Sequence, residues 1–277
     1  YSLNSAIREF GKMLCVNQVS VSIRNTKILK QIEFIALPGE VTAIIGANGS
    51  GKSTLMRAMS GDIPYDGKIS LNGRDIGSIK PYELASKRAV MPQKSNVAFP
   101  FTVAEVVHIG LRNGVGAETT RTIYDALRCV GLATFARRKY SDLSGGEQQR
   151  VQLARVLAQV WTPHHAGQAR WIFLDEPVSS LDIAHQIDVM NIVKDYACSG
   201  GGIVAIMHDL NLTSMFADKV AILHRGKRLC QGVPKDVMTD DWLSEAYDCD
   251  LRVNKSPKPP STYILPHLAN TRKKQLD

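Results

Sequence analysis

The residues best suited to chemistry in this chain follow a short apolar run at positions 41–45. Their order, Gly-x-x-x-x-Gly-Lys-Ser, lets successive backbone N–H groups turn inward around phosphate oxygens at the start of a helix. A lysine at this spacing reaches the β- and γ-phosphates, and the serine hydroxyl after it binds Mg²⁺. We therefore predict a nucleoside triphosphate site with Mg²⁺, formed by Gly46, Ala47, Asn48, Gly49, Ser50, Gly51, Lys52, Ser53 and Thr54.

Charged and titratable residues follow two further apolar runs, at 171–174 and 203–207. Asp175, at the end of a buried strand beside a phosphate loop, can hold Mg²⁺ together with Ser53. Glu176 can then face the γ-phosphate and take a proton from the attacking water. His208 ends the next run, and neighbouring strand ends in an open sheet meet in one ligand crevice. The predicted catalytic residues are Lys52, Glu176 and His208. Without the phosphate loop, Glu176 and His208 would indicate only ordinary strand ends.

The elements that must position these residues are read from the spacing of apolar side chains. Unbroken β-branched runs at 41–45, 171–174, 203–207 and 220–223 are typical of parallel strands buried on both faces. Alternation at 19–23 and the run 32–37 predict half-buried antiparallel strands. From about residue 82 to 160 the apolar residues recur at helical spacing, which predicts a mainly helical insertion. The class is therefore α/β.

Residues 143–150, Leu-Ser-Gly-Gly-Glu-Gln-Gln-Arg, precede an apolar-rich helix. Ser144 and Glu147 have the spacing of a capping box, and the two glycines between them expose N–H groups at the helix start. The octet also resembles the signature of ATP-binding cassette (ABC) proteins, and it precedes Asp175 as it does in that family. Over about residues 13–235 the chain is similar to an ABC ATPase, which implies a P-loop NTPase (RecA-like) core with antiparallel strands and an inserted helical subdomain carrying the signature.

The resemblance assigns further residues. Gln93 is similar to the glutamine that contacts Mg²⁺ and senses the membrane partner, and Asp182 lies in a segment similar to the D-loop. In this family two cassettes dimerise head to tail, so each ATP lies between one phosphate loop and the other cassette's Ser144, Gly145 and Gly146. The resemblance thus implies ATP-driven closure of a dimer of this chain, followed by hydrolysis and reopening.

The cargo is read from segments outside the shared motifs. Residues 207–212 with 216–218 resemble cassettes of type II importers, which carry ferric siderophores, cobalamin or haem. Residues 89–93 followed by 98–107, residues 162–169 and residues 263–267 resemble the haemin-importer branch. This implies haemin import with an integral-membrane permease dimer and, indirectly, a periplasmic substrate-binding protein, at the cytoplasmic face of the inner membrane. Import of a ferric siderophore or cobalamin is the alternative.

Composition limits the remaining possibilities. Lys+Arg 34 against Asp+Glu 26 gives a net charge of +8, which would also suit a soluble ABC ATPase acting on nucleic acid. A single phosphate loop and signature without sustained heptads favour transport, so we expect no nucleic-acid partner. No apolar stretch approaches the roughly 18 residues that span a bilayer. We expect three regions: an extension without regular structure at 1–12, one ATP-binding domain at 13–235, and a C-terminal helix and tail at 236–277.

Overall fold

A computed structural model describes residues 12–93, 99–111 and 119–268 of the chain. The strands are β1 (Leu14–Ile23), β2 (Thr26–Ala36), β3 (Val41–Ile45), β4 (Asp66–Leu71), β5 (Arg74–Asp75), β6 (Arg88–Met91), β7 (His164–His165), β8 (Gln168–Ala169), β9 (Trp171–Asp175), β10 (Gly202–Ile206), β11 (Lys219–His224) and β12 (Lys227–Gly232). The helices are α1 (Lys52–Met59), α2 (Pro81–Lys87), α3 (Val103–Leu111), α4 (Thr119–Cys129), α5 (Gly145–Gln159), α6 (Ile183–Cys198), α7 (Leu210–Phe216), α8 (Pro234–Val237) and α9 (Asp240–Tyr247).

The main sheet has six strands in the order β12-β11-β3-β10-β9-β6. All neighbours pair in parallel except β11 and β12, which form an antiparallel edge. Successive side chains enter two different cores: in β9, Ile172 and Leu174 face the larger cluster, whereas Trp171 and Phe173 face the smaller one. The predicted two-sided burial of the apolar runs is therefore confirmed, as is the α/β class.

A second, antiparallel sheet covers one face of the main sheet, with strand order β2-β1-β4-β5. Helix α1 lies between the two sheets, and Leu55 and Met56 pack in the same buried cluster as Phe34 of β2 and Trp171 of β9. The predicted antiparallel strands are confirmed and are longer than expected. Because α1 starts at the last residues of the phosphate-loop motif, both sheets determine where that loop lies.

The opposite face carries most of the helices. Helices α3, α4 and α5 pack on one another, and Val106, Leu127 and Val156 belong to the larger core cluster. One expectation needs correction here, because residues 82–160 include β6, which pairs in parallel with β9 in the main sheet. Four residues, Arg88–Met91, are too few to show a strand period beside a long helical pattern. The helical part that follows β6 therefore begins at α3. The division of the chain into three regions stays a prediction.

The polar segment before β9 forms a small hairpin. Strands β7 and β8 pair antiparallel across Ala166 and Gly167, which both have positive φ, at 49° and 74°. Two such residues are what a tight type I′ hairpin turn requires. Its two histidines, His164 and His165, are exposed, so the hairpin is a surface feature.

The last described residues form a short helix and a mostly exposed tail. Helix α9 lies within the predicted C-terminal region, and Thr239 caps it by accepting a hydrogen bond from the Trp242 N–H. Leu243 and Ala246 are buried in the larger cluster. Further on, His267 contacts the Ser214 hydroxyl of α7 at 3.0 Å. In the described parts of the chain, no helix has the length and apolarity that crossing a membrane requires.

Candidate functional site

The predicted chemical residues converge at the carboxyl ends of three neighbouring strands. β10 lies between β3 and β9 and is parallel to both, with Ile206 opposite Asp175. The phosphate loop follows β3, Glu176 follows β9, and His208 comes two residues after β10. The crevice is thus built by parallel pairing alone, as expected for an open α/β sheet.

Three glycines shape the backbone of the phosphate loop. Gly46, Gly49 and Gly51 have φ of 142°, 79° and 105°, where a side chain is strained. A Cβ on Gly46 would lie 2.0 Å from the Leu223 carbonyl oxygen, and one on Gly51 would lie 2.7 Å from the Leu29 side chain. Glycine is therefore required both by conformation and by the neighbouring strands.

Lys52, the first residue of α1, turns back over this loop. Its Nζ donates hydrogen bonds to the carbonyl oxygens of Gly46, at 2.8 Å, and Ala47, at 3.0 Å. Burial lowers the pKa of Lys52, and the nearby carboxylates Glu176 and Asp175 oppose that shift. The ammonium group is thus held beside the loop and the two carboxylates, where it can meet phosphate oxygens.

Asp175 has the environment of a cation ligand. Its Oδ1 is buried and has no hydrogen-bond partner among the described residues, a costly state for a carboxylate. Burial raises the pKa of Asp175, and a hydrogen bond with Ser53 opposes the rise. A carboxylate and a hydroxyl that leave room for phosphate oxygens and water are the donor set that Mg²⁺ takes at nucleotide sites. The residues present fit that ion.

Glu176 and His208 form a direct pair. His208 Nε2 lies 2.6 Å from Glu176 Oε1. Glu176 adopts a left-handed backbone conformation, φ 55°, which is uncommon for a residue with a side chain. Its N–H donates to the Ile206 carbonyl at 3.2 Å, which continues the β9–β10 pairing by one residue. The strained turn lets the carboxylate face His208 while the backbone stays attached to the sheet.

The signature segment forms the start of α5. Ser144 Oγ accepts a hydrogen bond from the Glu147 N–H at 3.3 Å, and the Ser144 N–H donates to Glu147 Oε2 at 2.8 Å. The predicted capping box is confirmed. No hydrogen bond joins Ser144, Gly145 or Gly146 to the phosphate loop within the described parts of this chain.

One residue that the sequence did not single out connects the signature helix to the site. Gln149 Nε2 donates to the Glu176 carbonyl at 2.9 Å, and the Ser180 N–H donates to Gln149 Oε1 at 3.2 Å. A single side-chain amide therefore holds both ends of the segment from the candidate base to Ser180. Its position in a helix that begins with a capping box gave no sign of this role.

Most of the remaining predicted residues are exposed. Gln93 is exposed, two residues after β6. Asp182 caps α6, where its Oδ1 accepts a hydrogen bond from the His185 N–H at 3.0 Å, and this bond lowers the pKa of Asp182. Asn48 and Gly49 are exposed at the loop tip, and Thr54 is half-buried in the first turn of α1. Their contacts to nucleotide stay predictions.

A glycine loop after β3, a lysine at the start of α1, and carboxylates at the end of β9 define a P-loop ATPase. The ABC transporter family model matches residues 29–179, and the chain belongs to that family. It therefore binds and hydrolyses ATP, and membership implies a second cassette and a membrane permease as its partners.

Relatives in this family match almost the full chain. It is 58% identical over 257 residues to the Hemin import ATP-binding protein HmuV of Jannaschia sp. (strain CCS1), covering 93% of this chain and 95% of that protein. The protein of the same name from Roseobacter denitrificans is also 58% identical, over 91% of this chain and 97% of its own length.

Solved structures show the same fold. A nucleotide-free ATP-binding cassette from an ABC transporter superposes with a TM-score of 0.74 at 23% identity, covering 85% of this chain and 98% of that chain. The cbiO1 protein from Clostridium perfringens, part of the ABC transporter complex cbiONQ, gives 0.70 at 26% identity, covering 83% and 91%. The predicted P-loop NTPase fold is confirmed.

Because the Asp175 Oδ1 is buried without a hydrogen-bond partner among the described residues, we expect Asp175 to lower the stability of the protein while it supports activity. Asp175→Asn removes a buried charge, so the nucleotide-free protein should melt about 2–4 °C higher at pH 7, the effect of about 1 kcal/mol in a chain of this size. ATPase activity should be lost. Thermal melts across pH, without nucleotide or Mg²⁺, measure the first effect.

The direction in which stability changes with pH follows from the raised pKa of Asp175. Wild type loses stability as the pH rises from the ordinary value of 3.8 through the raised folded-state value, because the buried carboxyl then ionises. Well below pH 3.8 the carboxyl of Asp175 is uncharged in both the folded and the unfolded state, so the advantage of the variant should vanish. A melting temperature for Asp175→Asn that is lower than wild type at pH 7 would contradict this account.

Gln149 should affect hydrolysis and not nucleotide binding. Gln149→Ala removes both bonds that hold the segment after β9, and a misplaced base costs on the order of tenfold to a hundredfold in kcat. The control is Gln148→Ala on the same helix, because the Gln148 side chain donates to the Tyr140 and Leu143 carbonyls, which precede the helix and lie outside the site. Steady-state ATPase assays and ATP titrations compare the two variants. Equal losses of kcat in Gln149→Ala and Gln148→Ala would mean that Gln149 supports the helix and does not position Glu176.

Proposed function

We propose that this chain is the ATP-hydrolysing subunit of an importer that carries haemin across the cytoplasmic membrane, bound to the cytoplasmic face of its permease. The observation that carries the proposal is the 58% identity over more than nine-tenths of the chain to proteins named for hemin import. A similarity of this extent reaches well beyond residues 29–179, which many ABC transporters share.

The phosphate loop and its neighbours bind the substrate, ATP. Backbone N–H groups of the loop after Gly46 surround the phosphates, and Lys52 exchanges its bonds to Gly46 and Ala47 for phosphate oxygens. Ser53, Asp175 and Gln93 would hold Mg²⁺. When bound, the ion neutralises charge that develops on the β- and γ-phosphate oxygens.

For hydrolysis, a water molecule lies between the Glu176 carboxylate and the γ-phosphorus. Glu176 takes one proton from the water as the oxygen–phosphorus bond forms and the bond to the β-phosphate oxygen breaks, which releases ADP and phosphate. His208, paired with Glu176 at 2.6 Å, keeps the carboxylate oriented. As the γ-phosphate enters, the same imidazole can donate to it.

The second cassette completes each site. The N–H groups at the start of α5 lie at an exposed helix N-terminus, a favourable position for phosphate. A Cβ on Gly145 would meet no atom within 4 Å, so that surface is open to a partner. We therefore assign Ser144, Gly145, Gly146 and Asp182 to the ATP held by the opposite cassette in a head-to-tail dimer.

This chain has a surface beside Gln93 on which the permease can dock. A cavity of about 410 Å³ opens between β6, α3 and α5, and it is lined by Asp62, Val90, Pro92, Val106, Ile109, Gln152 and Arg155. Phe99, six residues after Gln93 in the sequence, is 70% exposed. Phe101 instead packs partly against the larger core cluster. We therefore assign Phe99, and not Phe101, to the contact with a cytoplasmic helix of the permease.

Uptake measurements test the cargo. The gene is deleted in its host, and wild type, Glu176→Gln or Glu245→Gln is restored; Glu245 is an exposed glutamate on α9 and serves as the matched control. Haemin and a ferric siderophore are supplied separately. We expect only haemin uptake to be lost on deletion, with wild type and Glu245→Gln restoring it and Glu176→Gln failing to do so.

Other outcomes separate the parts of the proposal. Loss of siderophore uptake with haemin uptake intact would overturn the cargo and leave the ATPase assignment standing. Full haemin uptake with Glu176→Gln would overturn the role of hydrolysis at this residue.

A further inference from the structure

The C-terminal helix reaches the phosphate loop. Tyr247, the last residue of α9, accepts a hydrogen bond at its hydroxyl from the Gly46 N–H at 3.3 Å, across 201 residues of sequence. Gly46 is the first residue of the loop, and its own carbonyl accepts from Lys52 Nζ at 2.8 Å. Gly46 is therefore held through its N–H by Tyr247 and through its carbonyl by the lysine that meets the phosphates.

The position of the tyrosine is set by the helix and not by the loop. Leu243 and Ala246 of α9 are 4% and 0% exposed in the larger core. The Ala246 carbonyl lies 3.4 Å from His224 Nδ1, at the end of β11. The side chain of Tyr247 itself is half-buried against the same core. The hydroxyl is thus a fixed point against which the loop can rest.

A second contact to the loop comes from the turn after β11. In the turn between β11 and β12, the Gly226 N–H donates to the Ser50 carbonyl at 3.0 Å, and the Gly226 carbonyl accepts from the Lys30 N–H at 2.8 Å. A Cβ on Gly226 would lie 2.1 Å from the Ile28 carbonyl oxygen, so the turn cannot retreat towards β2. Two residues of the loop, Gly46 and Ser50, are therefore held by residues that follow position 220.

We propose that Tyr247 is a positioning residue of the phosphate loop, through which the C-terminal helix sets the affinity of the site for nucleoside triphosphates. It lies outside residues 29–179, the part that the family model matches. The inference rests on ATP binding by this loop and is independent of the cargo. Because the contact is to the backbone at the phosphate end, it acts on the triphosphate and not on the base.

The test compares two single-hydroxyl deletions in the full chain. Tyr247→Phe removes the acceptor of the Gly46 N–H, and Tyr196→Phe removes a buried hydroxyl that donates to the Val160 carbonyl at 3.0 Å, outside the site. Dissociation constants for ATP and GTP are measured with Mg²⁺ by titration. We expect Tyr247→Phe to raise both by about threefold to tenfold, the range of one neutral hydrogen bond, and Tyr196→Phe to leave both unchanged.

Hydrogen exchange separates positioning from loss of stability. In the nucleotide-free protein, amides in residues 41–53 should exchange faster in Tyr247→Phe and at the wild-type rate in Tyr196→Phe, with similar melting temperatures for the two variants. Unchanged dissociation constants in Tyr247→Phe would overturn the proposal. Equal weakening by Tyr196→Phe would also overturn it, and so would weakening of ATP alone, which would indicate a contact with the base. Failure of wild type to bind ATP would instead refute the identification of the site.

Discussion

The structure depends on one constraint: a glycine-rich loop has to fit between two sheets. Gly46 and Gly51 lie so close to Leu223 and Leu29 that a single added carbon would overlap them. Strands β3 and β11 approach the loop from one sheet and β2 from the other, with α1 buried between them. The phosphate-binding N–H groups are therefore fixed before nucleotide arrives, so little ordering cost remains for binding.

Around this loop the fold places charges that the protein alone does not satisfy. Asp175 keeps a buried oxygen with no hydrogen-bond partner in the described part of the chain, and Lys52 bonds to loop carbonyls that phosphate can replace. These groups cost stability in the empty protein, and they are tolerated because β9 and α1 are anchored in well-packed cores. The helical part touches this centre through the amide of Gln149, so a movement of α5 is transmitted to the backbone of Glu176.

Much of this arrangement could be predicted from the sequence, since it depends on local spacing. Apolar runs indicated strands buried on both faces, and the residues directly after them form the crevice because parallel strands end at one edge. Strand β6 was missed because four residues beside a helical pattern carry too little period. Gln149 and Tyr247 were missed for another reason: their partners are 27 and 201 residues away, and only the packed helices bring them together.

The central claim is that the crevice at the ends of β3, β9 and β10 hydrolyses ATP with Glu176 as the base. Single-turnover hydrolysis by Glu176→Gln, measured beside its dissociation constant for ATP, tests this most directly. The account predicts that the variant binds ATP as tightly as wild type, while its hydrolysis rate falls on the order of a hundredfold or more. Hydrolysis at the wild-type rate would contradict the claim.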